Sequence, residues 1–344
     1  MKVFQYNSSN CIGVTPVFVE NNDIMRSTAT AVAVIALFAS IFTVTLNALV
    51  LFVFYRLKQL QTPSSILIVN MCIADFLTGC ISEPLFLSAR LLELYDTDKC
   101  SVKQAGLFFG YLFSGISFIT LCFISIERWY AVSVPFKYES RFTYRNCIIM
   151  VLVAYMVSIV LTSLRLAETF PPKIFYQLFA FFLVSLTIIS SLCYVKIYKI
   201  AKDHERRIHS LKFICYENNS GAKKKCTGLK FSSEGLRRKL NLSTRASVVK
   251  ESRKSKIVII IVFLLVASYS PKIMIMLDAF VVYNDSKVSY VALKWAEVIF
   301  FLSSCFNPVL YCLRISCVKE EISRLCNNWT SRLRGRCQRV RSWR

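Results

Sequence analysis

Apolar residues in this chain fall into long unbroken runs joined by short polar links. Neither a half-buried strand nor an amphipathic soluble helix has that pattern. Seven runs reach the roughly 20 residues a helix needs to cross a hydrocarbon core of ~30 Å. They lie at about 28–55, 64–92, 104–130, 146–165, 174–201, 256–283 and 288–313. The predicted fold class is an all-α membrane protein, a seven-transmembrane helix bundle across 28–313. Residues 1–27 include Asn7, Glu20, Asn21, Asn22 and Asp23 and have no apolar core, so they read as an extracellular segment without a cleavable signal peptide. The first run must then serve as its own insertion signal.

Past the last run the period changes. Between Arg314 and Cys326, Ile315, Val318, Ile322 and Leu325 fall on one helical face and Lys319, Glu320, Glu321 and Arg324 on the other. This spacing predicts a short amphipathic eighth helix at 314–326, lying on the membrane surface. Cys326 closes it and Cys317 lies within it, and both are candidates for palmitoylation. A basic tail, 327–344, follows. Residues 202–255 are polar and basic and lack apolar periodicity, which predicts a mostly disordered loop.

Basic residues set the orientation. Arg56 and Lys58 flank the first link, Lys137, Arg141 and Arg145 the third, Lys202 to Lys256 the fifth, and Arg314 onward the tail. These would be cytoplasmic, which puts the N-terminus outside a multi-pass protein of the plasma membrane. Asn7 and Asn284 are then the sequons facing outward and the candidates for glycans, whereas Asn218, Asn241 and Asn328 face inward.

Composition agrees: 55% of the 344 residues are hydrophobic and 18% charged, against about a quarter charged in a soluble domain. The net charge of +23 sits largely in 202–256 and after Arg324, without the interleaved aromatics that stack on bases. It points to anionic lipid as a partner and not to nucleic acid. Two histidines, both in the basic loop, supply neither a zinc site nor a hydrolase centre, so no enzyme is expected. A transporter would show an internal repeat or paired broken helices, and the runs show neither.

Polar residues inside the runs carry the chemistry, because each needs a partner or a water-filled cavity. They are Asn47, Asn70, Asp75, Ser117, Pro271, Ser303, Ser304, Asn307 and Pro308. Asp75 lies mid-span, where a lone carboxylate is either protonated or holding a cation. In the third run, Glu127, Arg128 and Trp129 follow directly on the apolar SGISFITLCFISI.

In this order these residues resemble the rhodopsin-like (class A) G-protein-coupled receptors, from about Ala31 to Cys326. Asn47 matches the family's first-helix asparagine, and Asn70 to Asp75 the N-L-x-x-A-D pattern. Glu127-Arg128-Trp129 stands for D/E-R-Y, with Pro135 and Tyr138 at the usual spacing. Tyr194, Ile197 and Ala201 match the lower fifth helix. Ser268 to Pro271 stands for C-W-x-P, which makes Tyr269 the toggle residue above Pro271. Asn307, Pro308 and Tyr311 complete N-P-x-x-Y.

The resemblance implies a receptor that binds an extracellular ligand and activates a heterotrimeric G protein. It implies that Glu127 holds Arg128 at rest and that Tyr194 and Tyr311 meet through water when active. It also implies that Asp75, Ser117, Ser303 and Asn307 can gather on a sodium ion; no other cofactor is expected. A degenerate receptor that binds ligand or partner without coupling is the alternative, since Trp129 and Tyr269 depart from the pattern. The family's extracellular disulfide has no cysteine in the second outer loop. Cys11 and Cys100 are then either bridged or a pair of unlinked thiols. That short loop and Leu186 at the fifth-helix proline position lean toward the melanocortin, adenosine, lipid and cannabinoid receptors.

Amine receptors place an aspartate where this chain has Gly110, and opsins a retinal lysine where it has Phe301. A peptide or another charged small molecule fits better than an amine or retinal. Glu83, Lys272, Asp278, Lys294 and Glu297 would face the outer cavity. Lys272 and Glu297 are either ligand anchors or an internal salt bridge between the sixth and seventh helices.

Overall fold

The computed structural model describes residues 23–94, 100–166, 171–220, 264, 266–275, 287–314, 317–325 and 327. No strand occurs among them. The first run forms α1 (Asp23–Arg56). The second forms α2 (Ser65–Leu77), a π-helical turn (Thr78–Ser82) and α3 (Glu83–Leu94). The third is α4 (Cys100–Ser133), followed by the short α5 (Pro135–Arg141). The fourth and fifth are α6 (Tyr144–Leu166) and α7 (Pro172–Ser220), and the seventh is α8 (Lys287–Arg314). Helical residues 266–275 come from the sixth run. Helix is the forced choice here: within lipid a backbone amide has no water, and only a helix satisfies it inside one segment.

Among the described residues, five helical stretches are long and apolar enough to cross a membrane: α1, α2 with α3, α4, α6, and Ile174–Ile200 of α7. The 28 residues of α8 add about 42 Å at 1.5 Å per residue.

The bundle is built around α4. In its most apolar stretch 67% of the residues are buried inside the protein, against 22% for α6. It packs on α2, α3, α6 and α7, while α1 closes the bundle against α2, α3 and α8. Leu67, Ile68, Met71, Phe118 and Ile124 form the fully buried centre. The opposite faces are exposed and apolar: Phe38, Ile41 and Phe42 on α1, Leu152, Met156 and Val160 on α6, and Phe181, Ile188 and Leu192 on α7. Apolar surface this extensive belongs against lipid.

Three features depart from the sequence reading. First, the second run is interrupted by its π turn, at Gly79. A Cβ there would stand 2.9 Å from Val44 Cγ2 and 3.1 Å from Thr43 Cβ, so glycine lets α1 approach. Ser40 Oγ uses that approach to donate to the Gly79 carbonyl at 2.8 Å. Second, α7 continues to Ser220, past the expected end at 201. Lys, Glu and Arg are good helix formers, and an established helix propagates through them at little cost. Third, Glu321, expected on the polar face of the helix at 314–326, is buried and lies 3.7 Å from Arg56 at the end of α1. Val318 is fully buried, with Ile322 and Leu325 packed behind it on the main core, while Lys319, Glu320 and Arg324 are exposed.

Candidate functional site

At one end of α4, Glu127 is buried to 1% exposure and its Oε2 lies 2.8 Å from Arg128 Nε. This is a charge pair and not an aligned hydrogen bond, because the Nε–H has no acceptor in hydrogen-bond geometry. The carboxylate's other oxygen accepts from the Tyr138 hydroxyl on α5. Partial burial and that hydrogen bond push the Tyr138 phenol above its ordinary range. Tyr138 is itself stacked on Phe142 at 5.3 Å. The pair is therefore clamped by the short link helix, which adjacency in sequence did not reveal. Trp129 gains a partner too: Lys196 of α7 stands 4.8 Å over its ring. Tyr194, two residues before Lys196 on α7, is buried. Of Tyr311 only the backbone is described.

Midway along the bundle, Asp75 has no exposed surface. Ser117 donates to its Oδ1 at 2.9 Å and Asn307 to its Oδ2 at 2.7 Å. Ser303 instead donates to the Phe300 carbonyl at 2.6 Å. Three of the four residues in the expected cation set, Asp75, Ser117 and Asn307, meet, while Ser303 turns toward its own helix. Asn47 ties α1 to α8 by donating to the carbonyls of Thr43 and Ser304. Asn70 ties α2 to α4 by donating to Thr120 at 2.9 Å. Tyr269 lies just above this layer, buried, with its ring 4.1 Å from that of Phe118 and edge-on to Phe300.

Toward the other end of α4 lies a cavity of about 100 Å³. Gly110 and Phe301 both line it, so the positions of an amine receptor's aspartate and an opsin's lysine form plain wall. Lys272 and Glu297 line it as well, 3.6 Å apart. The pair thus forms an ion pair that joins 266–275 to α8 on the cavity surface. Lys294 reaches the other Glu297 oxygen at 3.3 Å.

Glu83 is a correction. It is 1% exposed, does not line the cavity, and accepts from Thr43 of α1 at 3.2 Å. The π turn is the reason: one additional residue in a turn rotates the helix beyond it by about 100°, which carries Glu83 from the cavity to α1. The same rotation brings in residues the sequence reading missed. Arg90 and Glu93 of α3 line the cavity with Lys103 of α4. Arg90 is 2.6 Å and Lys103 3.2 Å from Glu93. Their i, i+3 spacing on a rotated helix was the only available signal.

Cys100 is disulfide-bonded, and Cys317 is a half-buried free thiol. Asn7, Cys11, Asp278, Asn284 and Cys326 lie outside the described residues.

A charged cavity at one end of a helix bundle, a polar layer at its middle and a clamped arginine at the other end define a membrane receptor of the seven-helix class. The family model described as "7 transmembrane receptor (rhodopsin family)" matches residues 46–311. The chain belongs to the rhodopsin family of seven-transmembrane receptors, and its seven runs are that family's helices. It is 26% identical over 327 residues to trace amine-associated receptor 4 of Rattus norvegicus, covering 85% of each chain. It is 24% identical to melanopsin-A of Danio rerio over 78% of this chain and 44% of that protein. A 134-residue stretch is 30% identical to the alpha-2B adrenergic receptor of Talpa europaea, 38% of this chain and 33% of the other. The chain thus spans under half of the melanopsin and nearly all of the trace amine receptor.

Proposed function

We propose that this protein is a ligand-activated receptor that promotes nucleotide exchange on a heterotrimeric G protein. It would sit in the plasma membrane with its N-terminus outside. The observation that carries the reading is the Glu127–Arg128 pair, held at rest by Tyr138 at the end of α4 remote from the charged cavity. An adjacent ion pair is a cheap latch, worth little in water and more when one partner is desolvated, as Glu127 is. Outward movement of the sixth helix would free Arg128 to meet the Gα subunit, with Tyr194 and Tyr311 meeting through water beneath. Tyr269, between the cavity and Asp75, would transmit ligand contact downward. Asp75, with Ser117, Asn307 and the nearby serines, would hold sodium in the resting state, since oxygen ligands suit a hard cation.

The ligand is a charged small molecule or peptide contacting Lys272 and Glu297, with Asp278 as a further candidate contact. Cys11 is the partner assigned to Cys100 on this topology, and glycans are assigned to Asn7 and Asn284. Residues 314–326 would lie on the inner membrane face, with Cys317 and Cys326 open to acylation. The leaning to the melanocortin and lipid group rests on the loop and proline features alone. A non-coupling receptor is the second reading, favoured by the Lys196–Trp129 contact, which ties the switch region to α7.

The deciding experiment measures guanine-nucleotide exchange on a panel of Gα subunits, normalised to surface-labelled receptor, for wild type and Arg128→Ala. Coupling predicts exchange that Arg128→Ala abolishes. Equal exchange in both overturns the role of Arg128, and none in either supports the non-coupling reading.

A further inference from the structure

We infer that Glu83 is a proton-binding site: a carboxyl held as the neutral acid inside the bundle, with its proton on Oε2. It lies between the cavity and the Asp75 layer and belongs to neither. Asp75 is eight residues earlier, roughly 12 Å along a helix, and Phe86, three residues later, lines the cavity.

The other buried carboxyls among the described residues have partners that balance a charge. Glu93 has Arg90 and Lys103, Glu127 has Arg128, and Glu321 has Arg56 and Arg324. Asp75 has a donor on each oxygen, Ser117 and Asn307. Glu83 has neither arrangement. It is 1% exposed, and one neutral hydroxyl, that of Thr43, reaches its Oε1 at 3.2 Å. No cation pairs with it among the described residues, and its Oε2 is buried without a protein partner.

Two costs compete. An ionised carboxylate taken out of water with a single hydroxyl donor keeps most of the penalty of a buried charge. The neutral acid leaves one hydroxyl short of an acceptor, which is the smaller cost of an unmet hydrogen bond. The interior therefore selects the acid. A hard cation is the other way to cancel the charge, but it takes roughly six oxygens. Glu83 has one oxygen contact, Thr43, and a proton needs no coordination shell.

The surroundings are uncharged as well. Thr43 Oγ1 is 2.9 Å from the Cys305 thiol of α8, and Cys305 Sγ lies 3.5 Å from the Ala39 carbonyl. With the Thr43 proton directed at Glu83, the thiol is the donor to Thr43. One relay of neutral groups thus joins α8, α1 and the second run. The π turn makes it possible: glycine at 79 lets α1 approach, and Glu83 then meets Thr43.

The test uses the full-length receptor in lipid nanodiscs at neutral pH, read by infrared spectroscopy. The wild type should show the carbonyl stretch of a neutral carboxylic acid, which carboxylates lack. That band should move when glutamate carries a ¹³C-labelled carboxyl, vanish in Glu83→Gln and persist in Asp75→Asn. Thr43→Val should raise its frequency, because the hydrogen bond to that carbonyl is gone; a merely structural role would not move it. Glu83→Gln, a neutral group of the same shape, should keep the Tm within about 4 °C of wild type. The label needs no variant and decides the matter even where Glu83→Gln fails to fold. A spectrum with no label-sensitive acid band overturns the inference, as does a band that Glu83→Gln or Thr43→Val leaves unchanged. So does a Tm that rises with sodium or potassium in the wild type and not in Glu83→Gln, which would assign the site to a metal cation.

Discussion

Glu127 illustrates how a single residue's meaning depends on its third neighbour. In sequence it is one half of an adjacent acid–base pair; in the bundle Tyr138 occupies its second oxygen. Glu127→Gln should therefore raise ligand-free exchange per surface receptor, because it removes the charge that holds Arg128. Tyr138→Phe should raise it less, since a single hydrogen bond to a charged group is worth about 1.5–3 kcal/mol and the ion pair persists. Basal exchange with labelled surface protein orders the three: wild type lowest, Tyr138→Phe next, Glu127→Gln highest. If both variants only lower expression, the pair is an anchor and not a latch. Asp75 is the formal charge among the residues that meet at mid-bundle. Asp75→Asn should abolish any dependence of ligand affinity on sodium, read by titrating ligand with sodium or a bulky organic cation as counterion. A wild type indifferent to sodium would refute the ion site.

Elements meet in this protein where side chains are small or missing. Gly79 lets the π turn press on Thr43 and Val44, so Gly79→Val should destabilise by about 1–3 kcal/mol through overpacking. The check is thermal unfolding in detergent, and an unchanged Tm would show that α1 yields freely. By contrast Arg56→Ala, which breaks the bridge from α1 to Glu321 on helical residues 317–325, should cost no more than ~1 kcal/mol, as Arg56 is half exposed. The helices themselves were legible from their apolar runs, and the described ends to within a few residues except at the far end of α7. The π turn was not, because its residues Thr78 to Ser82 are as apolar and small as an α-helix would tolerate. Its consequence, that Glu83 leaves the cavity and Arg90 and Glu93 line it, was hidden with it. The extension of α7 to Ser220 was missed for a different reason: propagation depends on the helix before it and not on the composition of 202–220.

At the scale of the molecule the question is how strongly the two ends of α4 communicate. If the cavity and Arg128 bias one two-state bundle, their coupling should be about 1–3 kcal/mol, or 5–150-fold in affinity. Reciprocity makes this measurable without knowing the path. The Kd of a cavity ligand should fall by that factor when a nucleotide-free Gα subunit is added, and Arg128→Ala should remove the change while leaving the ligand's own Kd intact. A Kd indifferent to Gα would mean that the ends act independently.

Run length and charge asymmetry were enough to read seven spans, and the order of Asn47, Asp75, Glu127-Arg128 and Asn307-Pro308-Tyr311 was enough to read the family. These come from the sequence alone because a bilayer filters on hydropathy and length, quantities that are local in the chain. Which charges share a cavity, which serine joins Asp75, and what occupies Glu127's second oxygen were decided by the tertiary structure. Each depends on the rotation of one helix against another, and a one-residue insertion such as the turn at Gly79 changes that rotation by about 100° while leaving the hydropathy of the run unaltered.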